Sequence, residues 1–280
     1  MNSQLSERIH LHSANFSKGQ RMIARYIEEH SDKVAFMTAS KLGATVGVSE
    51  STVVRFATEI GYSGYPALQQ AMQEVIRSKM TSVQRLERTS QNIEHRKLLE
   101  AVVDQDIDIL KRTKENVDQE AFYKAVDALV GAKKVYVLGA GSSLALATFL
   151  AHYLRLVFET VHLVEATSEA TILQQMVRVG EGDAVIAISF PRYSKKAVKT
   201  MKYASSQKAT TVAITDSPLS PLAQYASHVL LARSDMVSFV DSLVGPLSII
   251  NALIVTVAIK KKDEVADTLR KIEEIWDEYG

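Results

Sequence analysis

Three short runs in this chain place hydrogen-bonding side chains where the backbone turns into a helix. Each suits an anion or the edge of a nucleobase. The first is VSESTVVRF, with Ser49, Ser51, Thr52 and Arg55. Arginine can pair bidentately with guanine, and short hydroxyls reach base edges or phosphate oxygens. Ser49 and the backbone N–H groups behind it suit a phosphate, as does Lys41 just upstream. The second run is GAGSS, with Gly141, Ser142 and Ser143, and the third is SFPRYS, with Ser189, Arg192 and Ser194. Hydroxyls at a helix start hold phosphate or sugar oxygens, and a guanidinium grips phosphate with two parallel bonds. Lys195 and Lys196 read as solvated first-turn lysines.

Groups able to move protons are scattered. Glu165, Glu169, Asp216, His152 and His228 stand in no spacing that demands catalysis. Metal signatures of the HxExH and CxxC types are missing, so the expectation is no metal and no cofactor. Asp241 reads as a helix cap. The GAGSS turn also fails as a dinucleotide fingerprint, because the third glycine of that motif falls at Leu144.

Positioning these groups takes two kinds of architecture. Ser17 and Gln20 form a capping-box pattern opening a helix to about His30, with Met22, Ile23, Tyr26 and Ile27 as its apolar face. Thr38 caps a second helix that points Leu42 inward. Gly47 makes the turn, Val48 plugs the core, and Ser49 caps a helix from Glu50 to Ile60. Val53, Phe56, Ala57 and Ile60 face inward there, leaving Ser51, Thr52, Arg55, Thr58 and Glu59 outside. Gly61 ends it, and a further helix runs from about Pro66 to Arg77. The pattern is that of a helix-turn-helix, against the plainer alternative of a solvated αα-hairpin.

From Lys133 the pattern changes. Apolar runs at Val135–Leu138, Val161–Val164, Ala184–Ile188, Thr211–Ile214 and His228–Leu231 alternate with helical segments, which predicts a doubly wound parallel sheet. Ligands of such sheets bind past the carboxyl ends of strands, where GAGSS and SFPRYS lie. The expected division is a helix-turn-helix domain over 1–77, a polar helical linker over 78–117 and an α/β domain over 118–280.

Bulk composition sets the outer limits. A chain of 280 residues with 46% hydrophobic and 23% charged residues supports about two globular domains. Net charge is +1, so no whole-chain basic argument for nucleic acid exists, although the first third carries a small positive excess. The absence of cysteine removes disulfides and fits a reducing compartment. MNSQLSERIH lacks the apolar core of a signal peptide, and the expected location is the bacterial cytoplasm, associated with the nucleoid. The uncharged run Leu243–Ile259 is about the minimum length of a membrane span. Its Pro246, Ser248, Asn251 and Thr256 favour a buried or interface helix, and no membrane partner is expected.

VSESTVVRF followed by GYSGY, then VYVLGAGSS, then AISFPRYS to ITDSPLSPLA, resemble the RpiR family of bacterial transcription factors over essentially the whole chain. The resemblance implies an N-terminal helix-turn-helix and a C-terminal sugar-isomerase-type (SIS) domain that binds a phosphosugar. It further implies control of sugar or amino-sugar genes, as repressor or activator, by a homodimer or homotetramer on double-stranded operator DNA. Phosphosugar-binding SIS domains carry a Ser-x-Ser-Gly-x-Thr loop, which falls here on Ser189 to Ser194 with Pro191-Arg192 in place of Ser-Gly. Proline offers no N–H and arginine no glycine-like close approach, while Arg192 supplies charge instead. The competing reading is an aldose–ketose phosphate isomerase with Glu165 or Glu169 as base.

Overall fold

The computed structural model describes residues 3–79, 81–92, 97–165, 168–235 and 238–279. The chain divides into two compact units, Met1–Arg88 and Thr89–Gly280.

The first unit is helical. It contains α1 (Ser3–His12), α2 (Lys18–Val34), α3 (Ala39–Val46), α4 (Glu50–Glu59) and α5 (Tyr65–Lys79), and α6 (Ser82–Asn92) crosses the boundary. The capping box of Ser17 and Gln20 is present, and α2 breaks at His30 (φ −137°, ψ 36°) before continuing to Val34. Ile23 and Ile27 are fully buried with Leu42, Val53, Phe56, Ala57, Ile60, Leu68 and Met72. Met22, expected on that face, is instead exposed, because the buried stripe runs through Ile23, Ala24 and Ile27. α1 adds a helix to those expected from sequence, and Leu5 and Ile9, one helical turn apart and both buried, are its signal. Arg8 of α1 donates to the carbonyls of Ile60 and Gly61 at 3.3 and 3.0 Å, closing the end of α4. The Tyr65 hydroxyl and Gln69 amide both donate to the Met37 carbonyl at 2.8 Å, tying α5 to the approach of α3. Burial pushes the Tyr65 phenol up to about 12.

In the second unit α7 (Leu98–Asn116) and α8 (Gln119–Val130) precede a five-stranded parallel sheet of order β2-β1-β3-β4-β5. Its strands are β1 (Val135–Gly139), β2 (Val161–Glu165), β3 (Ala184–Ile188), β4 (Thr210–Thr215) and β5 (His228–Leu231). Between them run α9 (Ser143–Leu154), α10 (Glu169–Met176) and α11 (Lys195–Ser206), and α12 (Val244–Lys260) and α13 (Lys262–Tyr279) close the chain. Side chains alternate across the sheet, as the period of two demands. Val135, Val137, Ile186, Ile188, Val212 and Ile214 pack with α8, α9 and α12. Tyr136, Leu138, Val185, Ala187 and Ala213 pack with α10 and α11. β1 and β3 are buried throughout, which explains their unbroken apolar sequences.

The helix α7 lies within the span assigned from sequence to a linker, yet its Ile109 and Thr113 are buried and it packs on α12. Gly245 permits that approach, since a Cβ there would stand 2.5 Å from the Arg233 carbonyl and 2.8 Å from the Thr113 hydroxyl. α12 buries Pro246, Ile249, Ile250, Leu253 and Val257 and exposes Val255 and Ile259. Among the described residues no single helix is long and apolar enough to cross a membrane.

Candidate functional site

In the first unit, Thr38 caps α3 by accepting from the Lys41 N–H at 3.1 Å. Gly47 then takes the left-handed conformation (φ 80°) that ends α3, and the Ser49 hydroxyl accepts from the Thr52 N–H at 3.3 Å to start α4. The hydroxyls of Ser51 and Thr52 lie 2.9 and 2.8 Å from that of Ser49, a cluster at the N-terminus of α4. Gly43 sets how near the two helices come: a Cβ there would meet the Val48 carbonyl at 2.8 Å.

Ser51, Arg55, Thr58 and Glu59 are exposed on α4, and Lys41 is exposed on α3. Thr52 is half-buried, so its hydroxyl serves the cap cluster. Arg55 rests its Nε on the Ser51 carbonyl at 3.3 Å, leaving the rest of the guanidinium outward. Val54 stands exposed beside Arg55 and was not among the expected contacts. An apolar residue on a polar face was the signal for it, since such a methyl surface fits the thymine methyl group.

The second constellation lies at the carboxyl edge of the sheet, between β1 and β3. That is the switch point of a 2-1-3-4-5 sheet, where neighbouring connections diverge and leave a crevice. β1 ends at Gly139, whose absent side chain is required, because a Cβ would stand 2.3 Å from the Ser143 carbonyl oxygen. Gly141 follows at φ 60° and α9 begins, with Ser143 buried and Ser142 exposed. Past β3, the buried Ser189 accepts from the Ser194 N–H at 3.1 Å, and Ser194 caps α11 by accepting from the Ala197 N–H at 3.3 Å. Arg192, in the glycine position of the resembled loop, adopts φ 74°, so the backbone keeps the conformation that glycine usually supplies.

Asp241 joins the two loops. The Ser142 hydroxyl donates to its Oδ2 at 2.8 Å, and Arg192 Nη2 donates to Oδ1 and Oδ2 at 3.1 and 3.3 Å. This corrects the expectation of a helix cap: α12 begins two residues after Ser242, its N-cap position is Leu243, and no side chain caps it. Thus Ser142, Ser189, Arg192 and Ser194 gather at one edge, and the charge Arg192 brings is already paired.

A second carboxylate supports the loop from behind. The Tyr193 hydroxyl donates to Asp216 Oδ1 at 2.8 Å, and Thr215 donates to the same oxygen at 3.3 Å. Burial raises the Asp216 carboxyl above its ordinary range against these hydrogen bonds, and burial with the nearby Asp216 charge pushes the Tyr193 phenol strongly up. No local spacing in the sequence pairs Tyr193 with Asp216, which lie 23 residues apart.

The remaining proton-transfer candidates do not converge. Glu169 pairs with Lys199 at 2.6 Å, and that hydrogen bond holds its carboxyl below the usual range, which makes it a poor base. Glu165 lies exposed at the end of edge strand β2. His152 borders Tyr153 on α9, and burial lowers the imidazole of His228 on β5.

Comparison with known proteins matches both units. Residues 3–79 match the helix-turn-helix domain of the rpiR family, and residues 128–256 match the SIS domain. The transcriptional regulator HexR of Escherichia coli is 24% identical over 274 residues, 96% of this chain and 92% of that protein. HexR of Pseudomonas aeruginosa is 22% identical over 275 residues, 96% of this chain and 94% of its own. Among solved structures, the sugar isomerase domain of an RpiR transcription factor from Sphaerobacter thermophilus superposes with a TM-score of 0.60. It shares 32% identity, covering 64% of this chain and 99% of that one. NanR of Vibrio vulnificus, solved in complex with ManNAc-6P, shares the fold with a TM-score of 0.59 at 23% identity, over 97% of each chain.

Proposed function

This chain belongs to the RpiR family of transcriptional regulators, and from that premise we propose that it reads double-stranded operator DNA under the control of a sugar-phosphate effector. α4 enters the major groove with Ser51, Val54 and Arg55 toward base edges, while Ser49, Thr52 and Lys41 face the phosphate backbone. The effector lies past β1 and β3, against Gly141, Ser142, Ser143, Ser189, Arg192 and Ser194. The observation that carries this reading is the meeting of Ser142 and Arg192 on one carboxylate at the sheet's switch point. Two loops from separate strand ends that reach the same small anion also reach one phosphate.

The regulated genes serve sugar or amino-sugar metabolism, and the protein acts as a homodimer or homotetramer in which the exposed Val255 and Ile259 of α12 join an interface. An effector that biases the arrangement of protomers changes the spacing of paired recognition helices on a palindrome. NanR's complex with ManNAc-6P makes that compound the first to test. Footprinting should find a defined protected sequence upstream of sugar-metabolism genes, and a gel shift titrated with sugar phosphates should change its midpoint. Absence of sequence-selective binding overturns the proposal.

A further inference from the structure

We propose that Asp241 is a built-in occupant of the effector site: its carboxylate stands where the effector's anionic group goes, and must leave before that group enters. The proposal rests on the effector reading above.

Two of the groups assigned to the effector, the Ser142 hydroxyl and the Arg192 guanidinium, spend hydrogen bonds on Asp241. The pair is also asymmetric. The Asp241 side chain is only 12% exposed while that of Arg192 is 52% exposed, so the carboxylate is the enclosed member.

The backbone aims Asp241 there. Its neighbour Ser242 donates from its hydroxyl to Asp106 of α7 at 2.6 Å, and the Ser242 carbonyl accepts from the Ser234 hydroxyl at 3.1 Å. These bonds hold the backbone next to Asp241 in place, so only rotation of its side chain, at the loss of the bonds to Ser142 and Arg192, takes the carboxylate out. Arg192 meanwhile remains in a left-handed conformation that an arginine rarely adopts.

The consequence is selection by charge. Asp241 and Arg192 together are neutral, so an uncharged sugar gains little from displacing the carboxylate. A phosphomonoester, carrying close to two charges at neutral pH, competes with a single carboxylate for the same donors. Apparent affinity is then the intrinsic affinity reduced by the fraction of molecules in which Asp241 has swung out. Removing the occupant's charge removes that competition and a repulsion between like charges.

Isothermal titration of the full chain with inorganic phosphate, ManNAc-6P and unphosphorylated ManNAc separates the possibilities. For Asp241→Asn, phosphate and ManNAc-6P should bind about tenfold tighter or more, given the strength of like-charge repulsion at a few ångströms. Binding of ManNAc should not change. Asp241→Ser, which shortens the side chain, should give the same direction and stands in if the asparagine variant folds poorly. If both variants bind ManNAc-6P as well as or more weakly than the unaltered chain, Asp241 is a ligand contact or a bystander, and the proposal falls. If Arg192→Ala and Ser142→Ala leave ManNAc-6P binding unchanged, or no variant binds any probe, the effector site itself is misplaced and both readings fall.

Discussion

Arg192 holds a left-handed backbone (φ 74°) while its Nη2 lies 3.1 Å from Oδ1 of Asp241, forty-nine residues further along the chain. The conformation costs an L-residue about 1–2 kcal/mol. The ion pair, with Arg192 half in solvent, returns no more than about 1 kcal/mol. The variants of this position should therefore rank in an unusual order. Arg192→Gly loses the pair but relieves the backbone, whereas Arg192→Ala loses the pair and keeps the strain. Urea unfolding should show the glycine variant more stable than the alanine variant by about 1 kcal/mol. Equal stabilities would mean that the loop relaxes out of the left-handed region.

Gly43 and Gly47 offer a second contrast within the helix-turn-helix. A Cβ on Gly43 would press on the Val48 carbonyl at 2.8 Å, and backbone cannot step aside as a side-chain tip can. Gly47 faces open space, and only its φ of 80° penalises another residue. Gly47→Ala should cost about 1 kcal/mol of stability. Gly43→Ala should cost about 1–3 kcal/mol and also weaken DNA binding, because α3 and α4 must separate. Unfolding curves paired with gel shifts check this, and a Gly43→Ala variant that binds DNA normally would contradict it.

Local signals carried the fold well, for a physical reason. Thr38, Gly47, Ser49 and Ser194 act through bonds to residues a few positions away, so their roles can be read from spacing. Uninterrupted apolar runs marked β1 and β3 because both faces of those strands are covered. The site was only half legible. Ser142, Ser189 and Arg192 sit at predictable strand ends, but Asp241 meets Ser142 and Arg192 across 99 and 49 residues, and Tyr193 reaches Asp216 across 23. No local pattern encodes such meetings. Asp241 has the sequence sign of a cap, a carboxylate just ahead of an apolar helix, yet α12 carries no side-chain cap.

Asp216 gives a pH test with a definite sign. Burial raises its carboxyl above the ordinary 3.8, so the folded protein binds that proton more tightly than the unfolded chain does. Its contribution to stability is therefore most favourable below the unfolded value, declines as pH rises toward the raised folded value, and is a constant cost beyond it. Asp216→Asn abolishes this dependence. The stability of Asp216→Asn relative to the unaltered protein should improve from pH 4 to pH 7 in urea titrations. Tyr193→Phe removes a donor that lowers the Asp216 carboxyl, and should cost about 1–3 kcal/mol at pH 7 and less at pH 4. A relative stability that moves in the opposite direction with pH would show that hydrogen bonding, and not burial, dominates at Asp216.

The exposed face of α4 separates sequence reading from simple attraction to DNA. Arg55 projects beyond the turn that holds its Nε, and Val54 stands exposed beside it. Lys41 lies on α3 rather than on the recognition helix. Arg55→Ala should therefore lose about 1–3 kcal/mol on the specific site and little on random DNA. Val54→Ala should weaken binding only where a thymine methyl faces it, without altering the salt dependence. Lys41→Ala should weaken specific and random DNA alike and reduce the slope of log affinity against log salt by about 1. Gel shifts at several salt concentrations on both DNAs resolve the three patterns. An Arg55→Ala variant that loses equally on both, with the reduced slope expected for Lys41, would place Arg55 on phosphate and leave base reading to Ser51 and Val54.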